Sequence, residues 1–371
     1  MAGLILFHTH LAREFPDELE RLHEIVPGEE LVVAADGDEF RQRLPEAEVI
    51  VAAPQPATVL DTCLAEDGRP AHLKAHIVPF AGIDRVPLSW YARHGVLVAS
   101  SHGNADVVAE RALALLLAAA GRVVEFDAGL RQGRWHRRND ASRPFEYWRS
   151  LAGARVAVLG TGAIGCRVAE LAAPLITGGS TGGELIGLHR GPVGHGATTD
   201  GATTMVTAEG RTTGEALARN PEQVFHQRVR SIEEAVAGVD AIIVTLPLTD
   251  ATRGLLGYEL LAAANQPVVV NVSRAEIIPE DDLFLALQDQ SVYAAGVDVW
   301  YRYPQPPWNE GADALPGTRP FHHLPNLVLS PHAASHTPSG KRAQLTGALA
   351  HLEEFLKTDT MSRAIDPANG Y

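Results

Sequence analysis

Residues Arg155 to Gly165 read R-V-A-V-L-G-T-G-A-I-G, and the chain is organised around them. Val156 to Leu159 form a short apolar run with two valines, which suits a strand buried on both faces. Gly160, Gly162 and Gly165 follow at once, in G-x-G-x-x-G spacing. In a dinucleotide site the first glycine permits the tight turn out of the strand. The second lets a pyrophosphate approach the backbone, and the third lets the next helix pack close to the strand. That helix is expected from about Ile164 to Leu175. It would turn its free N–H groups and positive dipole end towards phosphates. A glycine fingerprint alone also fits an ordinary Gly-rich turn. Its place between a strand and a helix is the context that the dinucleotide reading requires.

Composition bounds the rest. A length of 371 residues suggests about two domains. Hydrophobic content of 46% with 20% charged residues fits a soluble globular chain. The net charge of -14 argues against nucleic acid and anionic membranes as partners. Cys63 and Cys166 are too few for a disulfide framework, and no basic region precedes an apolar run at the start. A cytoplasmic protein without a secretory leader is therefore expected. The longest apolar run, Ala112 to Ala120, is too short to span a bilayer. No solenoid-type repeat is visible.

The first hundred residues alternate candidate strands (Leu4–Phe7, Leu31–Ala34, Val49–Ala52, His76–Phe80, Val96–Ala99) with polar, helix-compatible segments. This is the pattern of a small parallel α/β domain. Ala105 to Gly121 is rich in Ala and Leu and reads as a helix, with Asn104 as its N-cap. Arg122 to Ser150 reads as irregular. After the fingerprint, a strand Leu185–Leu188 ends at His189-Arg190. About Gly191 to Gln227, rich in Gly, Thr and Ala, reads as an insertion or mobile loop. Ser231 and Glu234 form an S-x-x-E capping box. Strands are expected at Ala241–Leu246, Val268–Val272, Tyr293–Val297 and Asn326–Leu329, and a last helix at about Gly340 to Lys357. The whole is expected to be α/β, with doubly wound parallel sheets.

With these residues in view, the chain resembles the D-isomer-specific 2-hydroxyacid dehydrogenase family, which includes formate, phosphite and phosphoglycerate dehydrogenases. The likeness rests on motifs in order: F-A-G-I-D (Phe80–Asp84), N-A-D-V-V-A-E (Asn104–Glu110), the fingerprint, L-P-L-T-D-A-T-R-G (Leu246–Gly254), N-V-S-R (Asn271–Arg274), G-V-D-V-W (Gly296–Trp300) and S-P-H (Ser330–His332). It implies a Rossmann nucleotide domain, residues 104–332, inserted in a discontinuous flavodoxin-like substrate domain, residues 1–103 and 333–371. The active site would lie in the cleft between them. A homodimer is implied, with the helix after Asn104 in the contact, and so is a small anionic substrate.

The same resemblance assigns roles. Arg274 would grip the substrate carboxylate and the C2 oxygen, as a planar guanidinium can. His332 would exchange a proton with that oxygen. The backbone at Ala81 and Gly82 would hold the carboxylate, with Asn104 and Gln55 lining the pocket. For NADP or NAD, Ala163 and Ile164 supply backbone at the pyrophosphate. Leu246, Pro247, Thr249 and Thr252 flank the adenine side. Val272, Ser273 and Asp298 stand near the nicotinamide, the Asp298 carboxylate accepting from its carboxamide. No metal is implied. His332 and His336 stand four apart, but no third ligand has useful spacing. His8, His10, His322 and His323 read as ordinary surface or loop histidines.

Two departures stand out. NAD-dependent relatives end the second strand with an acidic residue, where this chain has His189-Arg190, which leans the expectation towards NADP. The family's catalytic glutamate lies 29 residues after its arginine, and that position here is Tyr303. Gln305, two residues on, resembles the glutamine of the formate enzymes. The expected function is hydride transfer between a nicotinamide and C2 of a small 2-oxo or 2-hydroxy acid. The alternatives are a formate- or phosphite-type dehydrogenase and a nucleotide-sensing binding protein of the corepressor type.

Overall fold

The computed structural model describes residues 3–25, 28–136, 147–178, 182–189, 221–304 and 314–367. These fall into two compact units. One holds the residues up to Asn104 together with those from His336 onward. The other holds the described residues between Ala105 and Ser335.

The first unit is a five-stranded sheet of β1 (Leu4–His8), β2 (Glu30–Val33), β3 (Ala47–Ala52), β4 (Ala75–Val78) and β5 (Leu97–Ser100). All pairs are parallel, in the order β2-β1-β3-β4-β5. Alternate side chains of each apolar run serve opposite layers, so short runs suffice to bury both faces. Leu4, Leu6 and Ile50 pack in one layer with Phe40 and Trp90. Ile5, Phe7 and Val49 pack in the other, with Leu345, Leu349 and Leu352 of the helix Pro338–Thr358. That helix starts at Thr337, whose hydroxyl accepts from Gly340 N–H at 2.9 Å.

The second unit is a seven-stranded sheet. Its strands are β6 (Arg155–Leu159), β7 (Glu184–Leu188), β8 (Gln227–Val229), β9 (Ala241–Val244), β10 (Val268–Asn271), β11 (Ala294–Val297) and β12 (Leu327–Leu329). The order is β12-β11-β10-β9-β6-β7-β8, again parallel throughout. Strand order reverses beside β6, which places the crevice of a doubly wound sheet at the end of the strand that carries the fingerprint. Val156 and Val158 pack towards the helices Ala105–Ala120 and Ala163–Thr177. Ala157 and Leu159 pack into the opposite layer.

The sequence expectations differ from this fold at three places. The stretch read as an insertion up to Gln227 contains a short helix, Pro221–Val224, and the start of β8. β8 is a three-residue edge strand reading Q-R-V, and an edge needs little hydrophobicity. The stretch read as irregular contains the helix Val123–Arg131, set off from its predecessor by Arg122 in a left-handed conformation. Asn104 does not cap the helix that follows it: its Oδ1 is buried without a hydrogen-bond partner. Among the described residues no helix is long and apolar enough to cross a membrane.

Candidate active site

The turn after β6 is built as the spacing requires. Gly160 has φ +113°, a conformation side chains rarely adopt. A Cβ on Gly165 would stand 1.8 Å from the carbonyl oxygen of Gly160, so the helix Ala163–Thr177 reaches the strand only because that atom is missing. A Cβ on Gly162 would meet nothing within 4 Å. Gly162 is the N-cap, and no side chain caps this helix. The first-turn N–H groups, at Ala163 and Ile164, have no intrahelical acceptor. Open space over free amides and a positive helix end fits a pyrophosphate. Thr245 secures the turn, its hydroxyl donating to the carbonyls of Leu159 at 3.1 Å and Gly160 at 3.0 Å.

Flanking strands frame this opening. His189 follows β7, and its Nδ1 lies 3.2 Å from the Thr161 hydroxyl. The strand is followed in sequence by His189-Arg190 rather than by an acidic residue; Arg190 lies outside the described residues. Past β9, Leu246 is buried, Pro247 exposed and Thr249 half-buried. Thr252 is buried, and its hydroxyl donates to the Pro247 carbonyl at 2.7 Å and accepts from Thr249 N–H at 2.8 Å. That hydroxyl is thus spent on folding the loop rather than turned outwards.

The ends of β10, β11 and β12 carry the titratable groups. Asn271 is buried and braces the turn after β10. Its Oδ1 accepts from Ser273 N–H at 3.0 Å and its Nδ2 donates to Arg274 O at 2.9 Å. The Ser273 hydroxyl donates to the Leu246 carbonyl, tying this turn to the one after β9. Val272 and Arg274 are half-buried.

Asp298, fully buried at the end of β11, holds the loop after β12. One carboxylate oxygen accepts from the Ser330 hydroxyl and from Ala333 N–H at 2.9 Å, and the other from Ala334 N–H at 2.9 Å. Those three bonds use most of the roughly four acceptor positions of a carboxylate. The Trp300 indole adds a bond to Ser330 O at 2.7 Å. Between these anchors His332 is exposed, with φ +57°. A non-glycine residue in that region costs energy and persists where its surroundings over-determine it.

Tyr303 joins this group. Its ring centroid lies 5.5 Å from that of His332, and its hydroxyl oxygen accepts from Trp300 N–H at 3.0 Å. Burial pushes the phenol pKa up, while Arg274 nearby pulls it down. One sheet edge therefore brings Arg274, Tyr303 and His332 together. Gln305 and Glu310 lie outside the described residues.

The remaining candidates belong to the first unit. Ala81 and Gly82 are half-buried in the loop after β4. Gln55 follows β3 and donates to Ala53 O at 2.8 Å. Asn104 is buried. Sequence reasoning did not single out Thr245, Asn271 or Ser330 as braces, although Asn271 and Ser330 stand inside motifs it quoted. Among the described residues no cluster of three or more His, Cys, Asp or Glu side chains could hold a metal ion.

Comparisons with known proteins find a matching family model, similar curated relatives and similar solved structures. The model of the D-isomer specific 2-hydroxyacid dehydrogenase NAD-binding domain matches residues 113–177 and 181–334. A glyoxylate reductase from Aeropyrum pernix is 30% identical over 277 residues, 74% of this chain and 70% of its own. A glyoxylate/hydroxypyruvate reductase B from Serratia proteamaculans is 26% identical over 369 residues, 99% of this chain and 98% of its own. Among solved structures, an NADPH-dependent glyoxylate/hydroxypyruvate reductase from Sinorhizobium meliloti, in complex with NADP and malonate, superposes with a TM-score of 0.66 at 23% identity. That match covers 99% of this chain and 98% of the other.

Proposed function

The chain belongs to the D-isomer specific 2-hydroxyacid dehydrogenase family, and from that premise we propose that this NAD(P)-dependent oxidoreductase reduces a small 2-oxo acid of the glyoxylate or hydroxypyruvate class with NADPH. The observation that carries the reading is the meeting of Arg274, Tyr303 and His332 at the carboxyl edge of the sheet in which strand β6 ends in the glycine fingerprint. Ligands of open α/β sheets bind at that edge.

The residues divide the work. The amides at Ala163 and Ile164 would hold the pyrophosphate, and the nicotinamide would supply the hydride when bound. Arg274 pairs with the substrate carboxylate and polarises the C2 carbonyl, stabilising the charge that develops on its oxygen. His332 delivers a proton to that oxygen as C2 accepts the hydride, and takes it back in oxidation. Asp298 keeps His332 in place by anchoring the Ser330–Ala334 loop. From their places in the sequence, Ala81, Gly82, Asn104 and Gln55 are further candidates for contact with the substrate.

NADPH is favoured because β7 ends in His189-Arg190, with no carboxylate to repel a 2′-phosphate. The structurally similar Sinorhizobium meliloti reductase was solved with NADP. A homodimer is favoured by the apolar surface of the second unit, where Leu117, Val123, Leu130, Trp135, Tyr147 and Trp148 are exposed. Cys63 and Cys166 are both buried and neither forms a disulfide, in keeping with a cytoplasmic setting.

Turnover of glyoxylate, hydroxypyruvate, pyruvate, formate and phosphite, each with both cofactors, tests the reading. Reduction of the 2-oxo acids with NADPH supports it. Oxidation of formate or phosphite without 2-oxo acid reduction removes it.

A further inference from the structure

The edge strand β8 carries a cation that the fingerprint reading does not use. β8 pairs with β7 in parallel register, Leu188 beside Val229. One step further, His189 N–H donates to Val229 O at 2.9 Å. His189 and Arg230 therefore follow one another's strands at the same height of the carboxyl edge. Leu188 and Val229 both turn into the buried layer below. The His189 ring lies on the fingerprint side, against Thr161.

Arg230 is also firmly placed. Val229 before it is buried. Ser231 after it caps the helix Ile232–Val236, its hydroxyl accepting from Glu234 N–H at 3.4 Å. The side chain is exposed and makes no ion pair or hydrogen bond with the described residues. Its neighbour Arg228 differs, with Glu222 at 3.8 Å. A dinucleotide whose pyrophosphate rests on the helix after β6 puts its adenosine ribose over the end of the next strand, β7. Arg230 stands beside that strand end.

We infer that Arg230, the residue just after the strand β8 of the nucleotide sheet, receives the 2′-phosphate of NADPH beside His189. This rests on the NADPH preference proposed above and assigns it to a residue outside the second-strand end where that choice is usually read. A guanidinium can give the phosphate two parallel charge-assisted hydrogen bonds, which an amide side chain cannot.

The test is equilibrium binding to the full-length protein, without turnover, of NADPH, NADH, 2′,5′-ADP and 5′-AMP. Wild type, Arg230→Gln and Arg190→Gln are compared. The expected result is a loss of about 10- to 100-fold for NADPH and 2′,5′-ADP in Arg230→Gln, with NADH and 5′-AMP within about twofold. The salt dependence of NADPH binding should weaken in the same variant. An unchanged melting temperature confirms that the exposed substitution leaves the fold intact. If wild type prefers NADPH and only Arg190→Gln loses it, the assignment to Arg230 is overturned and the cofactor reading stands. If wild type binds NADH more tightly than NADPH, the cofactor preference itself is wrong and Arg230 has no phosphate to receive.

Discussion

The ring centroids of Tyr303 and His332 lie 5.5 Å apart, and Trp300 N–H donates to the Tyr303 hydroxyl at 3.0 Å. Burial raises the phenol pKa, so Tyr303 stays protonated and uncharged through the working range. A carboxylate beside His332 would favour the imidazolium; a phenol orients the ring without supplying that charge. Tyr303→Glu should therefore raise the His332 pKa. Reduction needs protonated His332, so its basic limb should move up in pH. Oxidation needs the neutral ring, so its acid limb should move up as well. pH profiles of kcat/KM in both directions check this. If neither limb moves and Glu310→Gln shifts them instead, the partner of His332 is Glu310.

Arg274→Ala should lower kcat/KM by about a hundredfold or more, because transition-state charge on the C2 oxygen loses its donor. Arg274→Lys should recover little, since an ammonium lacks the planar fork. Arg274 stands past β10, while the phosphate-binding amides follow β6, so cofactor dissociation constants should change by less than about twofold. Near-normal kcat/KM in Arg274→Ala would remove it from the mechanism.

Much of this was legible because α/β strands buried on both faces announce themselves as apolar runs. Val156 to Leu159 with its glycines marked the strand at the switch point of one sheet, and N-V-S-R and S-P-H marked the edge where Arg274 and His332 stand. β8 was not legible: a three-residue edge strand reading Q-R-V carries no apolar signal. Nor was the work of Asp298. A buried carboxylate in G-V-D-V-W resembles a ligand contact, and only its partners show that it spans from β11 to the loop of His332. Asn104 failed as a cap for a similar reason. Sequence identifies a residue able to cap but not where its Oδ1 points.

Stability should fall in mild acid because of His76, a fully buried histidine on β4. Its Nε2 lies 3.1 Å from Ala52 O and its Nδ1 meets the Tyr91 hydroxyl, which satisfies the neutral ring. Burial lowers its pKa to about 4. Between the unfolded value, about 6.5, and that folded value the unfolded chain binds the extra proton. Stability is therefore full above about pH 6.5 and declines towards pH 4, by about 3 kcal/mol in all. Urea unfolding at pH 7 and 4.5 should show a smaller difference in His76→Gln than in wild type. Equal differences would place the acid sensitivity elsewhere.

The exposed apolar surface around the helix Val123–Arg131 predicts self-association. Leu130 is 51% exposed and Trp148 59%, and exposed apolar residues grouped in this way mark interaction surfaces. A charge in the middle of such a face is costly to bury unpaired. Leu130→Asp with Trp148→Asp should yield a monomer by light scattering at concentrations where wild type is dimeric. A wild-type monomer at high micromolar concentration would refute the dimer.

Gly162 and Gly165 differ by three positions and should fail in opposite ways. A Cβ at Gly165 collides with the backbone of Gly160, which cannot swing aside as a flexible side chain could. Gly165→Ala should therefore cost several kcal/mol and lower the melting temperature with or without cofactor. A Cβ at Gly162 meets no protein atom, and the residue's φ of -76° suits any side chain. Gly162→Ala should fold normally, with stability within about 1 kcal/mol of wild type. Its Cβ would, however, occupy the space above the first-turn amides of the helix Ala163–Thr177. NADPH and NADH should both bind about tenfold or more weakly, because the obstruction lies at the pyrophosphate common to the two. Calorimetric melting and cofactor titration on the two variants separate packing from ligand approach. Normal cofactor affinity in a well-folded Gly162→Ala would mean that the pyrophosphate does not cross that face.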